Sequence, residues 1–179
     1  MPTIFELIDA GDADGIRTLL AADPGARESR SETGLSPLVH AAYRGRGPAY
    51  RALLAAAEPA DPWDRLVAGR SEGLPAPDAW SPDGFTGLHL AAFAHNTAAA
   101  RALLEAGADP DVLARSSIAR VTPLGTCAFA NAPEVARVLL EHGADPSIAE
   151  NGEARFRPLA VAEANGHAEV AELLRNAGG

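Results

Sequence analysis

Two stretches of the chain repeat each other without a gap. Residues 85–110, FTGLHLAAFAHNTAAARALLEAGADP, align at a shift of 36 positions with residues 121–146, VTPLGTCAFANAPEVARVLLEHGADP. The shift places Thr86 on Thr122 and matches the shared ending Gly-Ala-Asp-Pro. Self-similarity at one fixed period is typical of repeat proteins, in which each unit buries its apolar face against its neighbours. The alignment therefore predicts a stack of copies of one small motif.

The same pattern extends in weaker form over most of the chain. A further shift of 35 brings in the residues after Phe156, and a shift back by 50 brings in the residues after Leu35. On this register the chain is interpreted as one domain, 1–179, with five units and a sixth that is damaged. The approximate bounds of the units are 1–30, 31–60, an irregular 61–80, 81–115, 116–150 and 151–179.

Each regular unit is predicted to contain two helices. Leu88, Ala91 and Ala92 have the i, i+3, i+4 spacing of one apolar helix face, and Val135 and Val138 begin a similar face in the second helix of a unit. Alanine, with 40 copies in 179 residues, favours helix and lets neighbouring helices lie close together.

Capping residues predict where these helices begin and end. Ser36 and Thr122 each precede a proline, the usual order of an N-cap hydroxyl and a first helical position. Gly87 stands where that proline would be, so we expect proline to fit there. Gly143 closes a second helix, as a left-handed C-cap glycine does.

These motifs resemble the ankyrin-repeat family, whose unit of about 33 residues carries the pattern T-P-L-H-x-A. The resemblance is strongest over residues 83–146, where TGLHLAA, ALLEAGADP and VARVLLEHGADP occur. It implies an all-α solenoid of stacked helix–turn–helix units with short hairpin loops. The motif histidine occurs once, as His89. All 15 basic residues are Arg, which is typical of a GC-rich genome and suggests a short, bacterial-type array.

The irregular unit at 61–80 allows two interpretations. Residues 62–69 align with residues 4–11, so a first helix containing Trp63 is predicted. The stretch that follows, RSEGLPAPDAWSP, has three prolines and is too short for a second helix. We expect a continuous stack in which Trp80 holds this loop, because tryptophans are unusual in a solvated linker. A flexible linker between two half-arrays is the alternative.

Catalytic motifs are absent from the sequence: it has no glycine-rich phosphate loop, no HExxH and no Gly-x-Ser-x-Gly. His89 is expected to form a local hydrogen bond near Thr86. Cys127 aligns with Ala91, which predicts a buried, inert thiol. We therefore assign no catalytic, cofactor-binding or metal-binding residue and expect no cofactor.

Charge and composition narrow the classes of partner. The formal net charge is −9, from 15 basic and 24 acidic residues, so neither nucleic acid nor an anionic membrane surface is an expected partner. The sequence has neither the basic, apolar start of a signal peptide nor a run of 18 apolar residues. We expect a cytoplasmic monomer.

Five residues are candidates for a protein-binding face. The resemblance implies that partners bind the concave side, at the first-helix positions after Ala-Ala and at the tips of the hairpins. The residues chosen at those positions are Tyr43, Arg44, Phe85, Phe93 and Phe129. Aromatic and Arg side chains are common anchors of interfaces. Burial of the same rings between adjacent units is the alternative.

The resulting hypothesis is a non-enzymatic module that binds another protein, of unknown identity, through its concave face. No small-molecule substrate is expected. One variant is that the acidic chain neutralises a basic partner, such as a toxin or a nucleic-acid-binding protein. The alternative function is an enzyme, or an enzyme's regulatory subunit, with a site in the irregular region 61–82.

Overall fold

The structure is a computed structural model that describes residues 1–45, 47–116, 119–149 and 152–178. Within these ranges the chain forms eleven α-helices and no β-strand, which confirms the all-α prediction. In chain order they are α1 (Ile4–Asp9), α2 (Ala13–Ala22), α3 (Pro37–Tyr43), α4 (Pro48–Ala56), α5 (Pro62–Val67), α6 (Gly87–Phe93), α7 (Thr97–Glu105), α8 (Pro123–Ala130), α9 (Pro133–Glu141), α10 (Pro158–Ala164) and α11 (Ala168–Asn176).

The helices stack in two layers. The first layer contains α1, α3, α5, α6, α8 and α10, and each of these helices packs against the next. The second layer contains α2, α4, α7, α9 and α11, which pair with α1, α3, α6, α8 and α10 respectively. Helix α5 has no second helix of its own. The described chain is therefore a solenoid of five helix pairs and one single helix.

The predicted caps are confirmed. The Ser36 hydroxyl accepts a hydrogen bond from the backbone N–H of Val39 at 3.1 Å, and the Thr122 hydroxyl accepts one from that of Gly125 at 3.1 Å. Each contact satisfies a donor that the first turn of a helix leaves unpaired. Gly143 has φ 86°, the left-handed conformation expected after α9.

The core follows the predicted helix faces. Leu88, Ala91 and Ala92 of α6 are at most 1% exposed, and Val135 and Val138 of α9 are at most 2% exposed. The small alanines of one helix let its neighbour approach closely, so the interior of the stack is filled by short side chains and interleaved leucines.

The expectation that proline would fit at position 87 is wrong, because the space beside Gly87 is occupied. Its backbone is helical, but a Cβ atom there would lie 2.8 Å from Cδ1 of Leu103. Leu103 is 2% exposed and has little room to move. Leucine packing, rather than backbone conformation, explains the glycine.

Every first helix is followed by one residue in the left-handed region, within two positions of the helix end. This residue turns the chain toward the second layer and sets the register of the six units. The series is Gly11 (φ 69°), Gly45 (99°), Gly69 (83°), His95 (51°), Asn131 (55°) and Gly166 (73°).

The single helix α5 is held by side chains from both neighbouring units. The Tyr50 hydroxyl of α4 donates to the carbonyl of Val67 at 2.7 Å. The amide of Asn96, in the turn between α6 and α7, donates to the carbonyls of Leu66 at 2.9 Å and Arg70 at 2.8 Å. These bonds satisfy carbonyls at the end of α5, where a helix leaves acceptors unpaired.

The loop after α5 packs against the stack. Pro75 is buried, and Leu74 is half-buried against the core. Trp80 forms an isolated antiparallel bridge with Thr86, and the Arg115 guanidinium lies 4.0 Å from the centre of its ring. The prediction of a short helix containing Trp63 is confirmed, with α3 and α6 packed on its two sides.

The bounds of the six units remain a prediction from the sequence. The boundary between 116–150 and 151–179 falls on Glu150 and Asn151, which lie outside the described residues. None of the helices in the described ranges has the length and hydrophobicity that a bilayer crossing requires.

Candidate protein interface

The aromatic residues chosen from sequence form a row of contacting rings. The ring centres of Tyr43 and Phe93 are 5.2 Å apart, and those of Phe93 and Phe129 are 6.3 Å apart. Both distances are within the range in which aromatic rings attract each other. The three residues come from the ends of α3, α6 and α8, at equivalent positions. We call Tyr43, Phe93 and Phe129 the aromatic row.

Exposure is greatest at the α8 end of the aromatic row. Phe129 is 63% exposed, whereas Tyr43 and Phe93 are half-buried. Phe85 lies behind the row, with its ring centre 5.9 Å from that of Phe93, and it is only 5% exposed. Phe85 therefore occupies the core position that the alternative interpretation described and offers little surface to a partner.

Tyr43 has an enclosed polar group. Its hydroxyl is shielded from solvent and faces the Asp83 carboxylate, at a geometry outside the limits of a regular hydrogen bond. Burial, reinforced by the negative charge of Asp83, raises the pKa of Tyr43 above its ordinary value. The hydroxyl thus stays protonated, and Tyr43 adds an uncharged ring to the aromatic row.

Arg44 is held in place by the preceding unit. Its Nε donates to the Asp9 carboxylate at 2.9 Å, and the Nε2 of His40 lies 2.9 Å from the same oxygen. The hydrogen bond to His40, with a smaller contribution from the Arg44 charge, holds the pKa of Asp9 below its ordinary value. The Arg44 side chain remains 59% exposed, so its guanidinium is oriented yet accessible.

Some residues of this face were not predicted from sequence. Asp9 and His40 form the polar end of the row, and Phe5 packs edge-on against His40 with 5.4 Å between ring centres. Asp9 stands at the position equivalent to Tyr43 in the first unit, two residues before the left-handed Gly11. That alignment is the signal by which Asp9 could have been found.

His89 has the structural role that the sequence predicts. Its Nδ1 accepts from the hydroxyl of Thr86 at 2.8 Å, and its Nε2 donates to the carbonyl of Val121 at 2.9 Å. The second bond joins two units. Burial lowers the pKa of His89 to about 4, so the ring is neutral at pH 7. His89 is therefore a link between repeats.

Cys127 is fully buried, as predicted, and burial raises the pKa of its thiol. A thiol in such surroundings stays protonated and has no access to a substrate. His167 bonds the carbonyl of Ala128 at 2.7 Å, another link between units. Among the residues that the structure describes, no group of three His, Cys, Asp or Glu side chains is arranged to hold a metal ion.

A surface cavity of about 380 Å³ lies beside the irregular region. Its walls include Arg30, Leu38, Leu53, Asp61 and Asp64. Asp61 caps α5 and pairs with Arg30 at 3.5 Å. Asp64 accepts a hydrogen bond from the Ser36 hydroxyl, and burial raises its pKa. Both carboxylates thus serve the fold.

Comparison with known proteins agrees with the architecture. A family model described as ankyrin repeats (3 copies) matches residues 4–114 and, overlapping them, residues 64–150. No curated protein matches the chain significantly. The family match spans most of the chain, including the irregular region, and it agrees with the helix pairs and the 36-residue repeat. The chain belongs to the ankyrin-repeat family.

Proposed function

We propose that this chain is a non-enzymatic protein-binding module whose partner docks on the concave face at the aromatic row and Arg44. Ankyrin repeats are generally protein–protein interaction modules. The observation that carries the proposal is the 63% exposure of Phe129 at the end of a row of contacting rings. Covering such a ring stabilises a complex by about 1–2 kcal/mol.

The two layers of the solenoid differ in polarity in a way that supports this choice of face. The second helices carry exposed ion pairs between units: Arg101 with Glu141 at 3.4 Å, and Arg137 with Glu169 at 3.8 Å. These charges already have partners within the chain. The aromatic row instead presents apolar surface, which gains most when a partner removes it from water.

The candidate residues take different parts in the proposed face. Phe129 and the accessible edge of Phe93 make the apolar contact. Arg44, oriented by Asp9, offers its remaining N–H groups to a carboxylate or a carbonyl of the partner. Phe85 supports the row from the core, so its contribution to binding is indirect.

A mutation series separates contact residues from core residues. Phe129→Ala is expected to weaken binding by about 2 kcal/mol with little change in melting temperature, because the ring is exposed. The matched control is Phe85→Ala, which is expected to reduce the free energy of unfolding by about 3–5 kcal/mol because its ring is buried.

Affinity purification with mass spectrometry identifies the partner and tests the face together. Proteins recovered with the wild type and lost with Phe129→Ala are the candidates, and thermal melting verifies that the variant remains folded. If a folded Phe93→Ala, Phe129→Ala double variant recovers the same proteins in full, the interface assignment is refuted.

The proposal also states the kind of partner, the oligomeric state and the cellular compartment. The partner is another protein, since the net charge of −9 disfavours nucleic acid and anionic membranes. We take the chain to act as a cytoplasmic monomer without a cofactor or a small-molecule substrate. Light scattering on the purified chain tests the monomer, and fractionation of the native cell tests the compartment.

The alternative is an enzyme or regulatory subunit with a site in the region 61–82. The cavity of about 380 Å³ borders this region, but only Asp61 and Asp64 of the region line it. Both carboxylates are engaged, in a helix cap, an ion pair and the bond from Ser36. The exposed aromatic row is therefore the better-supported site.

A further inference from the structure

Most arginines of this acidic chain are paired with a carboxylate of the chain itself. Eight of them lie within 3.8 Å of an Asp or Glu oxygen, as Arg44 does with Asp9. Arg115 and Arg120 differ from these eight. Both are exposed, and neither forms an ion pair with a residue that the structure describes.

The two arginines flank the tip of one hairpin, which joins α7 to α8. The N–H of Ala114 donates to the carbonyl of Val121 at 2.9 Å. The N–H of Arg115, the next residue, donates instead to the carbonyl of Gly84 in the preceding hairpin at 2.8 Å. This alternation is typical of paired antiparallel segments, and it places Arg120 opposite Arg115. Like charges directly opposite each other destabilise such a pair.

The surrounding residues do not offset the two positive charges. Residues 112–133, which include the hairpin tip and α8, contain no Asp or Glu, although the chain has 24. Asp83 of the preceding hairpin faces Tyr43 and accepts a hydrogen bond from the Ser81 hydroxyl at 2.6 Å. The pair of arginines is therefore available to an anionic group from outside the chain.

The ring of Trp80 orients Arg115 for such a group. The guanidinium carbon lies 4.0 Å from the centre of the ring, within the range of a cation–π contact. A stacked guanidinium uses its face on the ring and leaves the N–H groups in its plane available. These N–H groups form a fork that matches the two oxygens of a carboxylate. A side chain that is already held in place loses less conformational freedom on binding.

The hairpin and the aromatic row meet at opposite ends of the same helix. Arg120 precedes Thr122, the N-cap of α8, and Phe129 lies near the end of α8. The helix has 8 residues, so at 1.5 Å per residue it is about 12 Å long. About four residues of an extended chain cover this distance. One partner segment can thus reach both the arginines and the 63% exposed ring of Phe129.

We propose that Arg115 and Arg120 bind the carboxylates of an acidic segment of the partner protein, which also places an apolar side chain on Phe129. In an extended segment the acidic and apolar residues are about four positions apart. Nucleic acid fits less well, because a long polyanion would extend past the hairpin over a chain of net charge −9. This inference rests on the proposed protein-binding function and names the chemistry of the partner.

Random peptides displayed on phage and selected on the immobilised full chain provide the probes, and the selected peptides are synthesised for affinity measurement. We expect an excess of Asp and Glu at about four positions from an apolar residue. Arg120→Ala should weaken binding by about fivefold and Arg120→Glu by about thirtyfold. Raising the salt from about 0.05 to about 0.5 M should weaken binding by about tenfold, because salt screens charges at the surface.

Stability measurements separate a contact role from a structural one. Arg120→Ala removes one of two facing like charges, so the melting temperature should stay the same or rise by up to about 2 °C. A clearly lower melting temperature would make Arg120 a structural residue and overturn its role. Arg115→Lys keeps a cation beside Trp80 but loses the fork, and should weaken binding by about fivefold. The matched control is Arg51→Ala, on the exposed side of α4 in the second layer, which should leave peptide affinity unchanged.

The outcomes separate this inference from the proposed function. If Phe129→Ala abolishes peptide binding and Arg120→Glu does not weaken it, the inference fails and the proposed function stands. Selected peptides without an excess of acidic residues would overturn the stated chemistry. A single-stranded DNA oligonucleotide that binds more tightly than the peptides, and depends on Arg120, would show that carboxylate is the wrong anion. If no selected peptide depends on Phe129, both the inference and the proposed face fail.

Discussion

The regular units at 85–146 and the irregular segment at 61–80 continue the same stack by different means. In the regular units, α6 packs on α8 and α7 packs on α9, so apolar burial joins neighbours in both layers. In the irregular segment only the first layer continues, through α5. No extensive contact joins α4 to α7, the second-layer helices on either side.

Where the second helix is missing, hydrogen bonds to backbone carbonyls replace the apolar packing between second-layer helices. Tyr50 and Asn96, from the units before and after, bond the carbonyls of Val67, Leu66 and Arg70 at the end of α5. The comparison teaches that the first layer is sufficient for continuity, provided that the open end of the single helix is satisfied by its neighbours.

Among the tests of this comparison, the largest expected effect is that of Asn96→Ala, which breaks the link between the irregular segment and the regular units. Asn96 is 6% exposed, and its amide also accepts from the N–H of Ala99 at 3.0 Å. Removing three bonds at a buried site should lower the free energy of unfolding by about 3 kcal/mol. Urea denaturation measures the loss.

Two optical probes show whether Asn96→Ala also makes the irregular segment unfold separately from the regular units. Trp63 and Trp80 are the two tryptophans of the chain and both lie in or beside the irregular segment, so fluorescence reports this region while circular dichroism reports all helices. The transitions should coincide in the wild type and separate in Asn96→Ala. The control is the exposed Asn165→Ala, which should cost about 0.5 kcal/mol or less. Equal losses in the two variants would contradict the proposed link.

The second prediction concerns how the free energy of unfolding of the regular units depends on pH. The link between the regular units, His89 to Val121, needs a neutral imidazole, and burial places the pKa of His89 at about 4, below its ordinary 6.5. Between these values the unfolded chain binds more protons than the folded chain, so stability falls as the pH decreases. The loss from pH 7 to about pH 4.5 should be about 2–3 kcal/mol.

The matched variant for this experiment is His89→Gln, which removes the titrating group. Its free energy of unfolding should depend less on pH over the same range, and the difference between the two profiles isolates His89 from the carboxylates. Parallel profiles for the wild type and the variant would contradict the assignment.

The smallest expected change in stability comes from removing a hydroxyl group from either of the two tyrosines of the chain. The Tyr50 hydroxyl donates to the Val67 carbonyl, so Tyr50→Phe should lower the free energy of unfolding by about 1 kcal/mol. The Tyr43 hydroxyl is enclosed and faces only the Asp83 carboxylate, outside regular hydrogen-bond geometry, so Tyr43→Phe should lower the free energy of unfolding by less than Tyr50→Phe does. Thermal melting of the two variants decides this, and a larger loss for Tyr43→Phe would reverse the assignment.

Sequence predicts the fold well because the determinants of the fold are local and repeated. The hydroxyl caps at Ser36 and Thr122, the apolar face of α6 and the short helix around Trp63 all follow from residues close together in the chain. The requirement for glycine at 87 did not follow, because it depends on where the distant side chain of Leu103 lies.

The candidate site is only partly predictable for the same reason. Alignment gives the register of Phe85 and Phe129 but not their exposure, which is 5% for one and 63% for the other.

The single helix α5 also bears on how arrays of this kind change over evolutionary time. If one helix preserves the stack, a gene can lose the coding region for a second helix without separating the repeats on either side. Array length can then vary in steps smaller than one repeat. Polar side chains such as Tyr50 and Asn96, which bond the carbonyls at the end of the single helix, are the substitutions that would make such a deletion tolerable.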